Sequence, residues 1–222
     1  MPAFQTTLWA QLQDAGQGKE TATREFVTRY RAPLLQFVEN RGLSPQDAED
    51  LVQEVFVQLL CKDALVRADE NRGRFRSYLL GVTRNVMGKA RERDGALKRG
   101  GGKKHVSLDE LGGIASTDPD PDFDRVWSRH LLQTALDGLK AENPRQHQTL
   151  TLHLKGDLSY QAIGEKLERS PEQVKADLHR GRQRLISLVQ RQIAAYSSSK
   201  EEFHEEVQTF TSLLEGGSPP SS

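Results

Sequence analysis

Apolar residues recur three and four positions apart along most of this chain, and that spacing predicts helices almost throughout. The clearest stripe follows Pro45, where the polar residues form a continuous face on the opposite side. A helix over residues 23–40 precedes it, with a kink or break expected at Pro33, and a third helix is predicted over residues 75–93. The clearest stripe consists of Ala48, Leu51, Val52, Val55, Phe56, Leu59 and Leu60. We therefore expect an all-α fold.

Residues 156–188 predict two short helices joined by a tight turn, and the second helix is basic. Ser170 can cap the second helix, Pro171 suits its first position, and Gln173 can complete a capping box. The positions expected to be buried are Tyr160, Ile163, Gly164 and Leu167, then Val174, Leu178, Gly181, Leu185 and Leu188. A helix-turn-helix of this kind can place its second helix in the major groove of DNA. The plainer interpretation is a helical hairpin with a solvated charged face.

Glycines, prolines and segregated charge indicate a flexible linker between two small helical domains. The predicted order is an N-terminal extension, a first domain, the linker, a second domain carrying the helix-turn-helix, and an acidic C-terminal extension with a partly disordered end. Their bounds are residues 1–21, 22–94, 95–124, 125–192 and 193–222. An amphipathic helix is expected in the C-terminal extension. It could dock on a basic surface and compete with DNA, contact a regulator, or be a soluble appendage.

The formal net charge is zero, yet the charges are unevenly distributed. Residues 71–104 contain eleven arginines and lysines against two acids, which gives a net charge of +9. Residues 107–124 contain six acids and no arginine or lysine, and residues 200–215 contain five glutamates and one lysine. Because a polyanion responds to local patches rather than to the total charge, the basic segment is a candidate for nucleic-acid binding.

The residue patterns favour a binding protein over an enzyme. No histidine pairs with a cysteine or another histidine at metal-ligand spacing, and no catalytic nucleophile motif occurs. The lone Cys61 cannot form an internal disulfide. The sequence contains no signal pattern and no apolar run of membrane-spanning length. We therefore expect a cytoplasmic protein without catalytic residues, metal or cofactor.

Two blocks of residues resemble the extracytoplasmic-function (ECF) group of bacterial sigma factors. Residues 47–56, DAEDLVQEVF, resemble the polymerase-binding helix of that family. The promoter-melting segment is resembled by residues 75–79 and 83–85, and the DNA-binding C-terminal domain by residues 144–146, 158–163, 174–175 and 178–180. Both blocks stand in the family order, and the resemblance covers about residues 22–192.

The resemblance implies a factor that binds core RNA polymerase, directs it to −10 and −35 promoter elements and helps to open the duplex. Its partners would be core RNA polymerase and promoter DNA, with an anti-sigma factor or another regulator as a further partner. The implied polymerase contacts are Asp47, Asp50, Leu51, Gln53, Glu54 and Phe56. The implied −10 residues are Arg72, Arg74, Phe75, Arg76, Tyr78, Arg84, Asn85, Lys89, Arg91 and Arg93. The implied −35 residues are Ser159, Tyr160, Glu172, Gln173, Lys175, His179, Arg180, Arg182 and Arg184.

These residue types suit those roles. An unstacked base needs an aromatic platform and hydrogen bonds to its edge, and basic side chains hold phosphates. Tyr78 also lies on the buried stripe, which favours a core position. Asp177 stands where the family usually has arginine, and its carboxylate could accept a hydrogen bond from a cytosine amino group. A left-handed turn at residues 168–170, where the family favours glycine, would cost about 1 kcal/mol.

Two other functions fit the same residues. A stand-alone helix-turn-helix regulator would use the first block to dimerise or to sense, and it would bind a symmetric operator by itself. An interaction adaptor would bind polymerase or an inhibitor through the acidic second helix, and it would tolerate the loss of Lys175 and Arg182.

Overall fold

A computed structural model describes residues 20–60, 75–98, 120–156, 158–197 and 199–215. Within these residues the chain is helical and has no strand, which confirms the all-α fold. The helices are α1 (Glu20–Glu39), α2 (Pro45–Leu60), α3 (Phe75–Lys98), α4 (Pro121–Glu142), α5 (Pro144–Leu154), α6 (Tyr160–Leu167), α7 (Pro171–Ala194) and α8 (Lys200–Glu215). Outside the described residues lie Arg72, Arg74, Cys61, most of the predicted N-terminal extension and linker, and the C-terminal end that was predicted to be partly disordered.

The described residues belong to two compact units. The first unit comprises α1, α2 and α3, the first seven residues of α4, and α8. The second unit comprises the rest of α4 with α5, α6 and α7. None of the described helices is long and apolar enough to cross a membrane.

Helix α2 packs against α1 and α3 to build the core of the first unit. Its predicted stripe is buried as expected, except that Leu60 is partly exposed. The break expected at Pro33 is not present, because α1 continues through it. Tyr30, Leu34 and Phe37 are at most 1% exposed on either side of the proline, so packing holds both halves of the helix in place.

Helix α4 begins four residues before the predicted start of the second domain. Asp120 caps it, since its carboxylate accepts hydrogen bonds from the backbone N–H groups of Asp122 (3.1 Å) and Phe123 (3.3 Å). Phe123 and Trp127 are then buried in the first unit. Trp127 stacks on Tyr30 of α1 with ring centroids 5.6 Å apart. Residues 120–127 therefore contribute to the core of the first unit.

Capping hydrogen bonds between residues close in sequence define the starts of α6 and α7 in the second unit. Ser159 caps α6 by accepting a hydrogen bond from the backbone N–H of Ala162 (3.1 Å). Ser170 and Gln173 form the predicted capping box at the start of α7, through reciprocal bonds of 3.3 and 3.1 Å. Between the helices, Glu168 adopts a left-handed conformation with φ 55° and ψ 52°. Helix α7 therefore begins where the sequence predicted, and a non-glycine residue occupies the turn.

Candidate functional site

The exposed face of α2 is acidic and amide-rich. Asp47, Asp50 and Gln53 are exposed, and the side chain of Glu54 retains 35% of its accessible surface. Val57, which is 59% exposed, extends this face by one turn. Leu51 and Phe56, by contrast, are at most 6% exposed and lie in the core of the first unit.

The cations of α3 lie in two different environments. Near its C-terminal end, Arg91 and Arg93 are exposed and Lys89 is half-buried, with Arg93 donating to Glu54 of α2 (2.9 Å). Near its start, Arg76 is only 7% exposed and donates to Asp124 (2.6 Å) and Glu206 (3.1 Å). The C-terminal turns of α3 therefore present positive charge to solvent, whereas the charge of Arg76 in the first turn is neutralised by Asp124 and Glu206.

Asp120 neutralises a second cation of α3. Its carboxylate accepts hydrogen bonds from Arg84 (2.8 Å) and from Arg41 (2.7 Å). Burial alone would raise the pKa of Asp120, but the Arg84 hydrogen bond, the backbone N–H of Phe123 and the charge of Arg41 together lower it. The carboxylate is therefore held in its ionised form between two guanidinium groups.

The two aromatic residues assigned to the −10 element differ in exposure. Phe75 is 1% exposed and lies 5.1 Å from the Tyr30 ring, measured between centroids. Tyr78 is half-buried, and burial raises the pKa of its hydroxyl. Asn85 is likewise half-buried. Phe75 therefore lies in the core, and Tyr78 and Asn85 are the partly accessible members of the set.

Helix α7 exposes one lysine, one histidine and one arginine to solvent. Lys175, His179 and Arg182 are exposed. Val174, Leu178 and Gly181 are buried as predicted, because α7 packs on α5 and α6. The Cβ that an alanine at Gly181 would carry lies 3.4 Å from Cβ of Gln146, so the glycine allows close packing. The basic flank is therefore free of the apolar contacts that fix the helix.

The other residues assigned to the −35 element have partners within the second unit. Arg180 donates to Asp177 (3.1 Å), and Arg184 makes two bonds of 2.5 and 2.7 Å to Glu142. The hydrogen bonds and charge of Arg184 lower the pKa of Glu142. Both arginines border an open polar groove of about 500 Å³, which is also lined by Glu142, Asn143, Gln146, Gln183 and Ser187.

Several of the remaining side chains assigned to the −35 element form the capping hydrogen bonds of α6 and α7. Ser159 and Gln173 hold the starts of α6 and α7. A hydrogen bond from Ser170 lowers the pKa of the exposed Glu172, and Tyr160 is 39% exposed with its ring 5.9 Å from that of His153. Tyr160 was expected on the buried face, and that expectation was wrong.

Asp177 is buried, so the predicted contact with a cytosine is not available to it. It is 3% exposed and accepts hydrogen bonds from Arg145 (2.8 Å), Arg169 (3.2 Å) and Arg180 (3.1 Å). Burial alone would raise the pKa of Asp177, but the Arg145 and Arg180 hydrogen bonds and the nearby charges of Arg145 and Arg169 lower it. This acid therefore ties α7 to α5 and to the turn after α6.

Residues 6–191 of the chain match the family model described as ECF sigma factor. The chain belongs to the ECF sigma factor family. Neither the comparison with curated proteins nor that with solved structures gives a match. Members of this family are transcription initiation factors and not enzymes, so this sigma factor acts in promoter-directed transcription with RNA polymerase and promoter DNA as its partners. Helix α8 lies beyond the matched residues.

Sequence reasoning did not predict the ion pairs that join acids and arginines inside each unit of this sigma factor. Arg145 and Arg169, which hold Asp177, lie 32 and 8 residues from it in the chain. The three-residue spacing of Asp177 and Arg180 was the only local signal of that cluster. Asp120 and Glu206, which hold Arg84 and Arg76, lie 36 and 130 residues from their partners and left no local signal.

Proposed function

We propose that this sigma factor binds core RNA polymerase through the exposed face of α2, the −10 element through α3, and the −35 element through α7. The observation that carries the proposal is the division of α7 into two faces. Val174, Leu178 and Gly181 anchor the helix, while Lys175, His179 and Arg182 remain exposed on it.

For the −35 element, the exposed flank of α7 offers groups that read and hold DNA. Lys175 and Arg182 can donate to guanine O6 and N7 or to phosphates, and His179 can donate or accept. Arg180 and Arg184 would contact the backbone from the groove side while keeping their partners Asp177 and Glu142. Ser159, Glu172 and Gln173 would act at the helix starts, where backbone N–H groups attract phosphate.

For the −10 element, the proposed contact consists of the exposed and partly exposed side chains of α3. Lys89, Arg91 and Arg93 would hold phosphates, with Arg72 and Arg74 preceding the helix. Asn85 would read a base edge, since its amide both donates and accepts. Tyr78 is the partly exposed aromatic residue that could support an unstacked base, and Phe75 would position it from the core. Binding energy for that base would offset the cost of unstacking it.

For the polymerase, Asp47, Asp50, Gln53 and Glu54 would meet a basic surface of the core enzyme. Opposite charges steer such an encounter and set its register. Leu51 and Phe56 would support this face from beneath, because both are buried under it.

Run-off transcription with purified bacterial core polymerase tests the proposal, using the DNA upstream of the gene as template. The expected result is a discrete transcript that requires the protein. A Lys175→Ala, Arg182→Ala double variant should reduce it by at least about tenfold, because each good base contact is worth about 1–3 kcal/mol. The matched control is Arg129→Ala, Lys140→Ala, which removes two exposed charges from α4.

Three results would contradict the proposal. A double variant as active as the wild type would support an interaction adaptor. Nanomolar binding to duplex promoter DNA without polymerase would support a stand-alone regulator. Failure to bind core polymerase in a direct assay would remove the first step on which the rest depends.

A further inference from the structure

Helix α8 turns carboxylates, rather than only apolar residues, toward the first unit. The spacing of Phe203, Val207, Phe210 and Leu214 predicted an amphipathic helix here, and the side chain of Leu214 lies outside the described residues. Of these, Phe210 is 9% exposed, whereas Phe203 and Val207 are only partly buried. Glu206, one turn before Phe210, is 3% exposed. A glutamate this deeply buried requires a partner, because an uncompensated buried charge is costly.

One partner of Glu206 is Arg76, a cation assigned to the −10 element. The Nε and a terminal guanidinium nitrogen of Arg76 lie 3.1 and 3.0 Å from Oε1 of Glu206. The other terminal nitrogen donates to Asp124 (2.6 Å). The side chain of Arg76 is 8% exposed as a result, so no phosphate can reach it while α8 is in place.

Two successive hydrogen bonds hold the other carboxylate oxygen of Glu206 in place. The indole N–H of Trp127 donates to the Tyr196 hydroxyl (3.2 Å), and that hydroxyl donates to Oε2 of Glu206 (2.9 Å). Burial, and next the charge of Glu206, raise the pKa of Tyr196 well above its ordinary value, so the hydroxyl remains a donor. Glu206 is therefore aimed at Arg76 by groups outside α3.

A second cation further along α3 is paired with an acid in the same way. Arg84, another cation assigned to the −10 element, donates to Asp120 at the start of α4. Two cations that the family resemblance assigns to the −10 element are thus paired with acids from segments that flank the second unit in sequence. A carboxylate and a phosphate both bind a guanidinium through charge-assisted hydrogen bonds, so the two anions compete for the same arginine.

We propose that α8 is an internal competitor of promoter DNA, which holds Arg76 through Glu206 until DNA or polymerase displaces it. The inference rests on the proposed −10 role of α3. A tethered carboxylate competes at a high effective concentration, so the free protein would bind DNA weakly. A buried ion pair contributes little net stability against its desolvation cost, so its exchange for a phosphate need not unfold the unit.

The test measures binding of the full chain to a fluorescein-labelled, random-sequence single strand of about 20 nucleotides, by anisotropy at several salt concentrations. Glu206→Gln should bind on the order of tenfold more tightly, since a hydrogen bond to a charged group is worth at least that much. The salt dependence of log K should steepen by about 0.7, the value for one additional phosphate on a single strand. Glu201→Gln is the matched control, because it removes an equal charge from an exposed position of α8.

Adding Arg76→Gln to Glu206→Gln should abolish the gain in affinity and in salt dependence. Tyr196→Phe retains every charge but removes the hydroxyl that holds Glu206, so it should bind severalfold more tightly than the wild type. This variant decides the question if Glu206→Gln does not fold. Equal binding by the Glu206 and Glu201 variants, or weaker binding accompanied by a lower melting temperature, would overturn the proposal and assign α8 a purely structural role.

Run-off transcription separates failure of this inference from failure of the proposed function. If the wild type supports a promoter-dependent transcript while Glu206→Gln and Glu201→Gln bind DNA equally, only the role of α8 is wrong. If no variant binds core polymerase or supports a transcript, the proposed function itself fails, and the inference fails with it.

Discussion

Replacing Asp177 with asparagine tests whether its arginine cluster holds the second unit together. The carboxylate is 3% exposed and accepts from Arg145, Arg169 and Arg180. Asparagine has nearly the same shape but lacks the charge, so the change isolates the ion pairs. Lys175 and His179 would remain on the exposed flank of α7.

The expected loss follows from how exposed each arginine is. Arg145 and Arg180 keep 49% and 60% of their side-chain surface, so water can replace the lost partner. The Arg169 side chain is only 15% exposed, and of its side-chain hydrogen bonds to described residues it would retain the one to the Thr149 hydroxyl (3.0 Å). Removing one partner of a fully buried pair costs about 3–5 kcal/mol. With two of three arginines rehydrated, we expect about 2 kcal/mol.

Native-state amide exchange of the full chain, followed by mass spectrometry of peptides from α5 and α6, measures that loss locally. A change of about 2 kcal/mol corresponds to exchange roughly thirtyfold faster for amides that open with the unit. The control is Asp137→Asn, at an exposed position of α4 that, among the described residues, accepts a side-chain hydrogen bond from Gln133 of its own helix. Exchange rates for Asp177→Asn within twofold of the control would refute the reasoning.

Acid should reproduce the effect in the wild type. Because the pKa of Asp177 is lowered in the folded protein, its contribution is complete above its unfolded pKa of 3.8. It is lost as the pH falls below that value through the folded-state pKa. The pH dependence should therefore be absent near neutral pH and weaker in Asp177→Asn than in the wild type.

Three further predictions concern the turn and the α2 face. Gly164→Ala should destabilise the second unit by about 2 kcal/mol, because the new Cβ would clash with the carbonyl oxygen of Arg169. Gly138→Ala, whose Cβ would lie 3.6 Å from Leu188, should be tolerated in the same denaturant titration. Glu168→Gly should stabilise that unit by about 0.5 kcal/mol, since relief of the left-handed strain exceeds the entropy that glycine loses; a lower midpoint would count against the strain. Asp50→Lys should weaken core polymerase binding on the order of tenfold in a fluorescence titration, whereas Glu25→Lys on α1 should not; equal effects would indicate a nonspecific charge effect.

The helices could be predicted because their signals are local. Ser44 bonds the backbone N–H of Asp47 three residues on (3.2 Å), and Ser170 does the same for Gln173 (3.3 Å). Such caps depend on neighbours in the chain, so a sequence states them directly. Pro33 shows the limit of this reasoning. The local rule predicted a kink or a break, and the helix does not break there because buried residues on both sides of the proline hold it in place.

The candidate site likewise contains features that local signals predicted and features that they did not. Exposure of Lys175, His179 and Arg182 followed from helical periodicity, because the apolar positions of α7 define the opposite face. The burial of Arg76 could not be predicted in this way, since its partners Asp124 and Glu206 lie 48 and 130 residues away. Only packing reveals which cations are already neutralised.

The sequence by itself determined most of the helical segments, the starts of α2 and α7, and the family to which the chain belongs, because periodicity, capping and motif spacing are all written along the chain. The tertiary structure decided which charges remain available. Ion pairs such as Arg76–Glu206, Arg84–Asp120 and the Asp177 cluster join residues that are distant in the chain. The free energy of a charge depends on burial and on what lies within a few ångströms, and neither is a property of its position in the sequence.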